Sequence, residues 1–423
     1  MSRKKQAAAG LGAIYGRVCG MDVHKDLVVA CVRILDTRNG TVQSTLKRFG
    51  TMTADLVELR QWLAEEKVTH VAMESTGVYW QPVFNVLEGH LEVWVVNAQH
   101  IKKVPGRKTD MKDAEWIAQL LQCGLLKPSF VPDRQQRELR DLTRQQTKLV
   151  QQRNAVDNRI QKVLETANIK LGSVATDVMG VSGRKILEAL IAGEKDVSTL
   201  ADLAEKRLRQ KIPQLQRALE GEITEHHRFL LRRLLDQYDF LEKEIQTVSE
   251  RLVAVAPPSF REAVKQLDEI AGVGERGARA LLAETGTDMS RFPSHKHFAS
   301  WAGQCPGNRE SAGKRKSGKT PAANRHLDAV LTEMAHAAAR KKDSYFKSQY
   351  HRLAGRRGKK RALGAVKHSL LITVYFMLRD HKPYKDLGAD YFDKLNPQQQ
   401  IRYHVRKLNE LGHDVELSVR PAA

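Results

Sequence analysis

The sequence predicts an α/β domain at the N-terminus, then a coiled-coil helical region, then a mostly helical C-terminal domain. Three observations carry this expectation. The first 130 or so residues alternate β-rich runs with amphipathic stretches. From Arg134 onward, aliphatic residues recur in steps of three, four and seven. A third region opens on a helix, a glycine turn and a second helix around Gly272. With 423 residues the chain is long enough for two to three domains and their cores.

In order, residues 16–24 and 27–35 are β-rich runs joined by a tight polar connection at Lys25 and Asp26, a hairpin signal. Residues 45–49 add a third strand. Residues 54–66 have helical periodicity, with Leu56, Leu59 and Leu63 on one face. A short buried strand at 68–73 follows, then a helix after Ser75 and Thr76, a strand at 91–96 and a helix over 109–123. Three antiparallel strands followed by βαβ crossovers is an order compatible with an RNase H-like fold, and with other mixed α/β folds. This domain is placed at 1–133.

The 134–257 region turns to glutamine, arginine and leucine. Leu142, Leu149, Val156 and Val163 recur every seven residues, with Leu139, Ile160 and Ala167 at complementary positions. Leu231, Leu234, Tyr238, Leu241, Ile245, Val248 and Leu252 alternate in steps of three and four. These are coiled-coil seams, able to pair with each other or with another copy. Pro257 and Pro258 end the second helix. The C-terminal domain is placed at 258–385, and a polar tail with a short helix over 398–411 at 386–423.

Lysine plus arginine total 70 and aspartate plus glutamate 49, a net charge of +21, while 41% of residues are hydrophobic. That describes a folded polycation, whose expected partner is nucleic acid ahead of a membrane surface. The charge is concentrated, because residues 309–361 hold 16 Lys/Arg against 4 Asp/Glu. No run approaches the roughly 20 apolar residues of a membrane span. Arg3, Lys4 and Lys5 lead into no apolar signal-peptide core. The expected location is therefore the cytoplasm, on the nucleoid when bound to DNA. Cys19, Cys31, Cys123 and Cys305 are scattered without CxxC spacing, which excludes a zinc ribbon and a disulfide scaffold. With no nucleotide-binding motif, no nucleotide cofactor is expected.

Four acids are candidates for chemistry. Asp22 lies inside the first strand, where a carboxylate is costly to bury without a partner. Glu74 closes the 68–73 strand. Asp110 and Asp113 are three residues apart, on one side of a helix. Two carboxylates about 4 Å apart repel by roughly 4 kcal/mol at an effective dielectric of about 20, so four together need a cation. A pair of Mg²⁺ ions would neutralise them and suit phosphodiester chemistry. Taken singly, each acid also reads as a helix cap, a surface charge or a salt-bridge partner.

Gly272-Val273-Gly274 reads as a helix-hairpin-helix, whose N–H groups hold a nucleic-acid phosphate without reading sequence, or as an ordinary glycine turn. Further on, Ser311 and Ser317 stand in a small-residue stretch with Arg309, Lys314, Arg315, Lys316 and Lys319, followed by Arg325. A serine there suits a nucleophile or a passive phosphate contact. Arg309, Lys314 and Arg315 would stabilise a pentavalent phosphate. His24 reads as a strand residue or a contact to a scissile phosphate. Tyr79, Trp80 and Trp94 read as core ahead of base-stacking platforms.

Gly20-Met-Asp22-Val-His24-Lys, Ala72-Met-Glu74-Ser-Thr-Gly77-Val-Tyr-Trp80 and Lys108-Thr-Asp110-Met-Lys-Asp113-Ala resemble the DEDD transposases of the insertion-sequence 110/1111 group. Residues 270–286, with Arg291-Phe-Pro-Ser294 and Trp301-Ala-Gly303, resemble that family's C-terminal transposase domain. The resemblance covers most of residues 15–380. It implies an RNase H-like (RuvC-like) domain whose carboxylates Asp22, Glu74, Asp110 and Asp113 bind Mg²⁺, a coiled-coil linker, and a C-terminal domain supplying a nucleophilic serine. The family's serine lies in a Ser-Gly-Gly-Lys-like stretch. Ser311-Ala312-Gly313-Lys314 matches it best, with Ala312 in place of a glycine, and Ser317-Gly318-Lys319 is a competing register.

The resemblance further implies recombination guided by a structured RNA from the mobile element, pairing with both donor and target DNA. The expectation is an RNA-guided recombinase acting through a phosphoserine as a dimer or tetramer, with Ser311 of one subunit meeting the acids of another. One rival is a junction-resolving nuclease of the same fold that uses metal-activated water and needs no serine. A second is a catalytically silent nucleic-acid-binding protein.

Overall fold

The structure, a computed structural model, describes residues 4–7, 13–75, 77–97, 101, 113–307, 309–311, 313–321, 324–395 and 397–418, without the side chains of 4–7, 309, 311, 315, 316 and 399. It divides into two compact units, Met1–Pro132 and Asp133–Ala423.

The N-terminal unit is built on a mixed sheet of β1 (Lys4–Ala7), β2 (Arg17–Val23), β3 (Val28–Asp36), β4 (Thr41–Phe49), β5 (His70–Glu74) and β6 (Glu92–Val96). The strand order is β1-β4-β3-β2-β5-β6. β2, β3 and β4 pair antiparallel, and β5 and β6 continue the sheet parallel to β2. This is an α/β arrangement of RNase H-like order. The β2–β3 hairpin closes where His24 N–H donates to the Leu27 carbonyl at 2.9 Å.

Strand alternation gives the sheet two apolar faces. On one face Cys19, Met21, Val71, Met73 and Val95 pack against Leu56, Leu59, Trp62 and Leu63 of the Thr53–Glu65 helix and Val83, Phe84 and Leu87 of the Trp80–Leu87 helix. On the other, Val18, Ala72 and Val96 meet Trp116, Ile117, Leu120 and Leu121 of the Asp113–Gln122 helix. Gly20 sits under that helix: a Cβ there would lie 2.2 Å from Ala118 N and 2.4 Å from the Ala114 carbonyl oxygen.

In the second unit two long helices, Arg134–Thr166 and Glu225–Val255, pack antiparallel within the chain. Gln135 bonds to the Val255 carbonyl at one end, Arg153 pairs with Glu242, and Arg159 reaches Gln237 further along. Asp133 and Thr224 cap the two helix starts. Between them the chain makes five short helices over 171–219. Ile186, Leu187, Leu190, Leu200, Leu215 and Leu219 from these form one core with Val156, Ile160, Leu164, Leu231 and Leu235 of the long pair.

Six further helices, Pro258–Asp268, Gly274–Thr285, His295–Trp301, Arg325–Ala338, Tyr345–Arg357 and Lys359–Asp380, share a second core that also takes in Leu139 and Leu252. The Lys359–Asp380 helix is long and apolar enough, by length and composition alone, to cross a membrane. Lys367, His368 and Ser369 interrupt its apolar run, and Val366, Leu370, Leu371, Val374 and Tyr375 are buried in this core. In the tail, Phe392 stacks on Tyr345 at 5.3 Å, and the Pro397–Glu410 helix follows.

Candidate active site and nucleic-acid interface

Asp22 and Glu74 occupy equivalent positions on neighbouring strands. β2 and β5 are parallel, and Met21 pairs with Met73, so each acid lies one residue further toward the C-terminal end. Both acids alternate with the residues buried on the first face, which puts them on the face of Val18 and Ala72. Asp113 opens the Asp113–Gln122 helix on that same face. The helix direction is fixed at its other end, where the Gln122 carbonyl accepts from Ile14 N–H at 2.8 Å and Tyr15 N–H at 3.2 Å, just before β2 begins. Buried Arg33, paired across from Val18, donates to Gln122 Oε1 at 3.0 Å. The helix therefore runs antiparallel to β2, and its Asp113 end faces the Asp22 end of the strand.

Asp22 is held by a neighbour, since His24 Nε2 lies 3.1 Å from its Oδ2. Asp110 lies outside the described residues. Among those described, no group of three or more His, Cys, Asp or Glu stands at metal-ligating separation. The donor chemistry nonetheless fits a hard divalent cation: the acids at this sheet end offer carboxylate oxygens, without the thiolate and imidazole pairs that zinc selects. Just beyond Glu74 the chain exposes Val78 and Tyr79, at 63% and 42%. Tyr79 is thus on the surface rather than in the core expected from sequence, because it closes the turn ahead of the Trp80–Leu87 helix. Trp80 packs edge-on against Phe84, and Trp94 is half-buried against Tyr15 and His70.

The serine stretch forms a short hairpin. Arg309–Ser311 and Lys314–Ser317 pair antiparallel, with Ser311 opposite Lys314 across the two-residue turn. Gly313 supplies the φ of +73° that this turn requires. Ser317 Oγ accepts the Lys319 N–H at 3.1 Å, so that hydroxyl has a local structural task. Lys314 and Lys319 are exposed; the side chains of Arg309, Ser311, Arg315 and Lys316 are outside the described set.

At the glycine turn, Gly272 has φ +87°, and a Cβ would lie 2.2 Å from Ala338 N. Gly274, with φ +62° and open space around its Cα, begins the Gly274–Thr285 helix. The turn is thus pressed against the C-terminal end of the Arg325–Ala338 helix.

One centre in this unit had no signal in the sequence. Buried Glu284 accepts from Arg144 Nε at 2.7 Å and Nη2 at 2.9 Å, and Arg140 Nε stands 3.5 Å away. Asn324 donates to the same carboxylate at 2.6 Å while its Oδ1 caps His326 N–H at 2.9 Å. Burial by itself would raise the Glu284 carboxyl, but Arg144, Arg140 and Asn324 outweigh it and hold the group below the usual carboxylate range. Glu284 so ties the long helix to the segment that leaves the serine hairpin.

Comparisons with known proteins agree with this layout. A family model described as a DEDD transposase of the IS110 type matches residues 19–169, and one described as the transposase IS116/IS110/IS902 family matches residues 264–351. A Pseudomonas aeruginosa protein named a probable family 20 transposase is 26% identical over 274 residues, covering 64% of this chain and 71% of that one. A Sinorhizobium fredii protein described as a transposase, y4pF/y4sB, is 36% identical over 96 residues, 22% of this chain and 24% of its own length. The acids at one sheet end fall in the first matched segment and the glycine turn and serine hairpin in the second, and the chain belongs to the IS110 family of transposases, which act on DNA by cutting and rejoining it.

Proposed function

We propose that the chain is an RNA-guided DNA recombinase that excises and inserts its own element through a covalent phosphoserine. The observation that carries the reading is the register of Asp22 with Glu74 at the sheet end that the Asp113 end of the covering helix faces. Asp22, Glu74, Asp110 and Asp113 would hold divalent metal, Mg²⁺ by their all-oxygen chemistry and two ions by their number. When bound, the metal supplies positive charge where charge develops on the attacking and departing oxygens of a phosphodiester.

The chain's own groups do the rest. His24 orients Asp22. Ser311 Oγ attacks the phosphorus of a DNA strand; the new O–P bond forms as the bond to the departing strand breaks, and the serine proton ends on that strand's oxygen. Arg309, Lys314 and Arg315 offset the charge of the five-coordinate phosphate. A hydroxyl of the exchanged strand then displaces the serine and restores its proton. Each step keeps one phosphoester for another, so no nucleotide is consumed. Ser311 is preferred to Ser317 because Ser311-Ala312-Gly313-Lys314 is the better match to the family's Ser-Gly-Gly-Lys-like stretch.

Gly272, Gly274, Lys316, Lys319 and Arg325 grip nucleic-acid backbone, while pairing between a structured guide RNA and the donor and target DNA chooses the sites. A homo-oligomer, dimer or tetramer, brings the serine of one subunit to the acids of another, working in the cytoplasm on the nucleoid.

The test incubates purified protein with the element's DNA ends and its non-coding RNA in Mg²⁺ and scores protein–DNA adducts on denaturing gels. Adducts are expected from the wild type and Ser317→Ala, and from neither Ser311→Ala nor Asp113→Ala. Strand cleavage that survives Ser311→Ala without adduct would replace this reading with a hydrolytic nuclease. Cleavage that ignores the RNA would remove the guide.

A further inference from the structure

The glycine turn and Arg325, placed above on nucleic-acid backbone, border a cleft in the second unit. It lies between the Arg134–Thr166 helix, the glycine turn and the Arg325–Ala338 helix, with a volume of about 710 Å³. Lys148, Gln151 and Asn154 line one wall on a single helix face, and Gly274 and Arg276 line another. The first amides of the Gly274–Thr285 helix have no intrahelical acceptor. The floor is small and apolar, made by Ala280, Ala329, Val330 and Ala337.

The charges in the cleft are unevenly matched. Its acids each have a cation: Glu284 has Arg144, Glu333 has Arg276 at 3.6 Å, and Glu275 has Arg279. Lys148 and Arg325 have no ion-pair partner among the described residues, which leaves two cations over. His326 senses the surplus. Its imidazole is pushed below the usual histidine range first by burial and then by Arg144, Arg325 and Lys148, against the pull of Glu284.

We propose that this cleft holds one or two nucleotides of a single-stranded polynucleotide, with backbone phosphate on Lys148, Arg325 and the Gly274 helix start, and base or sugar on the alanine floor. A phosphate alone would leave the apolar floor without an occupant. The volume falls within the roughly 300–1,000 Å³ of small-molecule sites, which suits one or two separated nucleotides. Strand exchange and guide pairing both produce unpaired segments, so the inference rests on the nucleic-acid reading given above and names where such a segment is held.

The test uses the full chain and fluorescein-labelled 12-mers: single-stranded DNA, single-stranded RNA of the same sequence, and the DNA duplex, by anisotropy over a KCl series. Lys148→Glu with Arg325→Glu is compared with Arg207→Glu and Arg209→Glu, an equal charge change on the short-helix segment. The cleft pair should weaken single-strand binding tenfold or more and lower the salt slope by about two, roughly one for each phosphate no longer neutralised. The control pair should change both far less, and the duplex should lose less than the single strands. Whichever single strand carries the difference identifies its source.

Equal losses for both pairs would overturn the cleft assignment and leave the nucleic-acid reading standing. A wild type that binds none of the three probes would overturn that reading itself. An independent readout avoids the variants: by NMR of the wild type, the His326 pKa should rise as phosphate neutralises the surplus cations, and an unchanged pKa at saturating oligonucleotide would rule the cleft out.

Discussion

Asp22 and Glu74 each stand one residue beyond the paired Met21 and Met73, so neighbouring parallel strands carry carboxylates at their C-terminal ends on the same face. Neither is needed for the core, which is complete in Cys19, Met21, Val71 and Met73. Asp22→Asn and Glu74→Gln keep the side-chain shape and should therefore change thermal unfolding little. Strand cleavage should fall at least about 100-fold, the rate equivalent of losing several kcal/mol of metal-borne charge stabilisation. Calorimetry and a cleavage time course read the two effects separately. A large drop in unfolding temperature would make these acids structural.

Gly20 tests whether the covering helix must lie where it does. A methyl there would meet the backbone of Ala118 at 2.2 Å and of Ala114 at 2.4 Å, and backbone cannot rotate away as a side chain can. Gly20→Ala should shift the Asp113–Gln122 helix, cost about 1–3 kcal/mol of stability and reduce cleavage although no carboxylate is altered. Denaturant melts alongside cleavage assays decide it. Full activity in Gly20→Ala would mean that the position of Asp113 is not critical.

The two glycines of the turn should respond differently. Gly272→Ala meets the Ala338 backbone and a φ of +87°, so it should destabilise the C-terminal core by several kcal/mol. Gly274→Ala has open space and only the φ of +62° to accommodate, a cost of about 1–2 kcal/mol. Urea melts of both variants check the order. Similar losses would mean that close packing against Ala338 is not what the first glycine supplies.

What could be read from sequence follows from range. The strands from β2 to β6 and the Asp113 helix were legible because their signals are local: alternation of two, periodicity of 3.6, and acids at element ends; β1, only four residues long, carries too short a pattern. The long helices were legible from Leu149, Val156, Leu231 and Leu241, whose spacing is set within one helix; that they pair with each other depends on partners such as Arg153 and Glu242, 89 residues apart. The five helices over 171–219 went unread because pieces of 4 to 12 residues carry too few turns to establish a period. In the serine stretch, Ser311 pairs with Lys314 through a turn that the Ala312-Gly313 dipeptide only weakly signals. Glu284 was invisible for the plainest reason: Arg144 is 140 residues away, and Asn324 another 40 in the other direction.

That carboxylate gives a pH-dependent prediction. Arg144, Arg140 and Asn324 hold Glu284 below the usual range in the folded chain, while in the unfolded chain it titrates near the ordinary value of about 4.3. A group depressed on folding adds stability that is complete above its unfolded pKa and is lost as pH falls through its folded pKa. Glu284→Ala should therefore cost about 3 kcal/mol at pH 7, where it removes the buried carboxylate that Arg144 pairs with and Arg140 faces. The gap to the wild type should narrow in acid, because there the wild type surrenders the same charge. Urea melts of both proteins at pH 7 and below pH 4 measure it. A gap as wide in acid as at neutrality would mean that packing, and not the Glu284 charge, joins the long helix to Asn324.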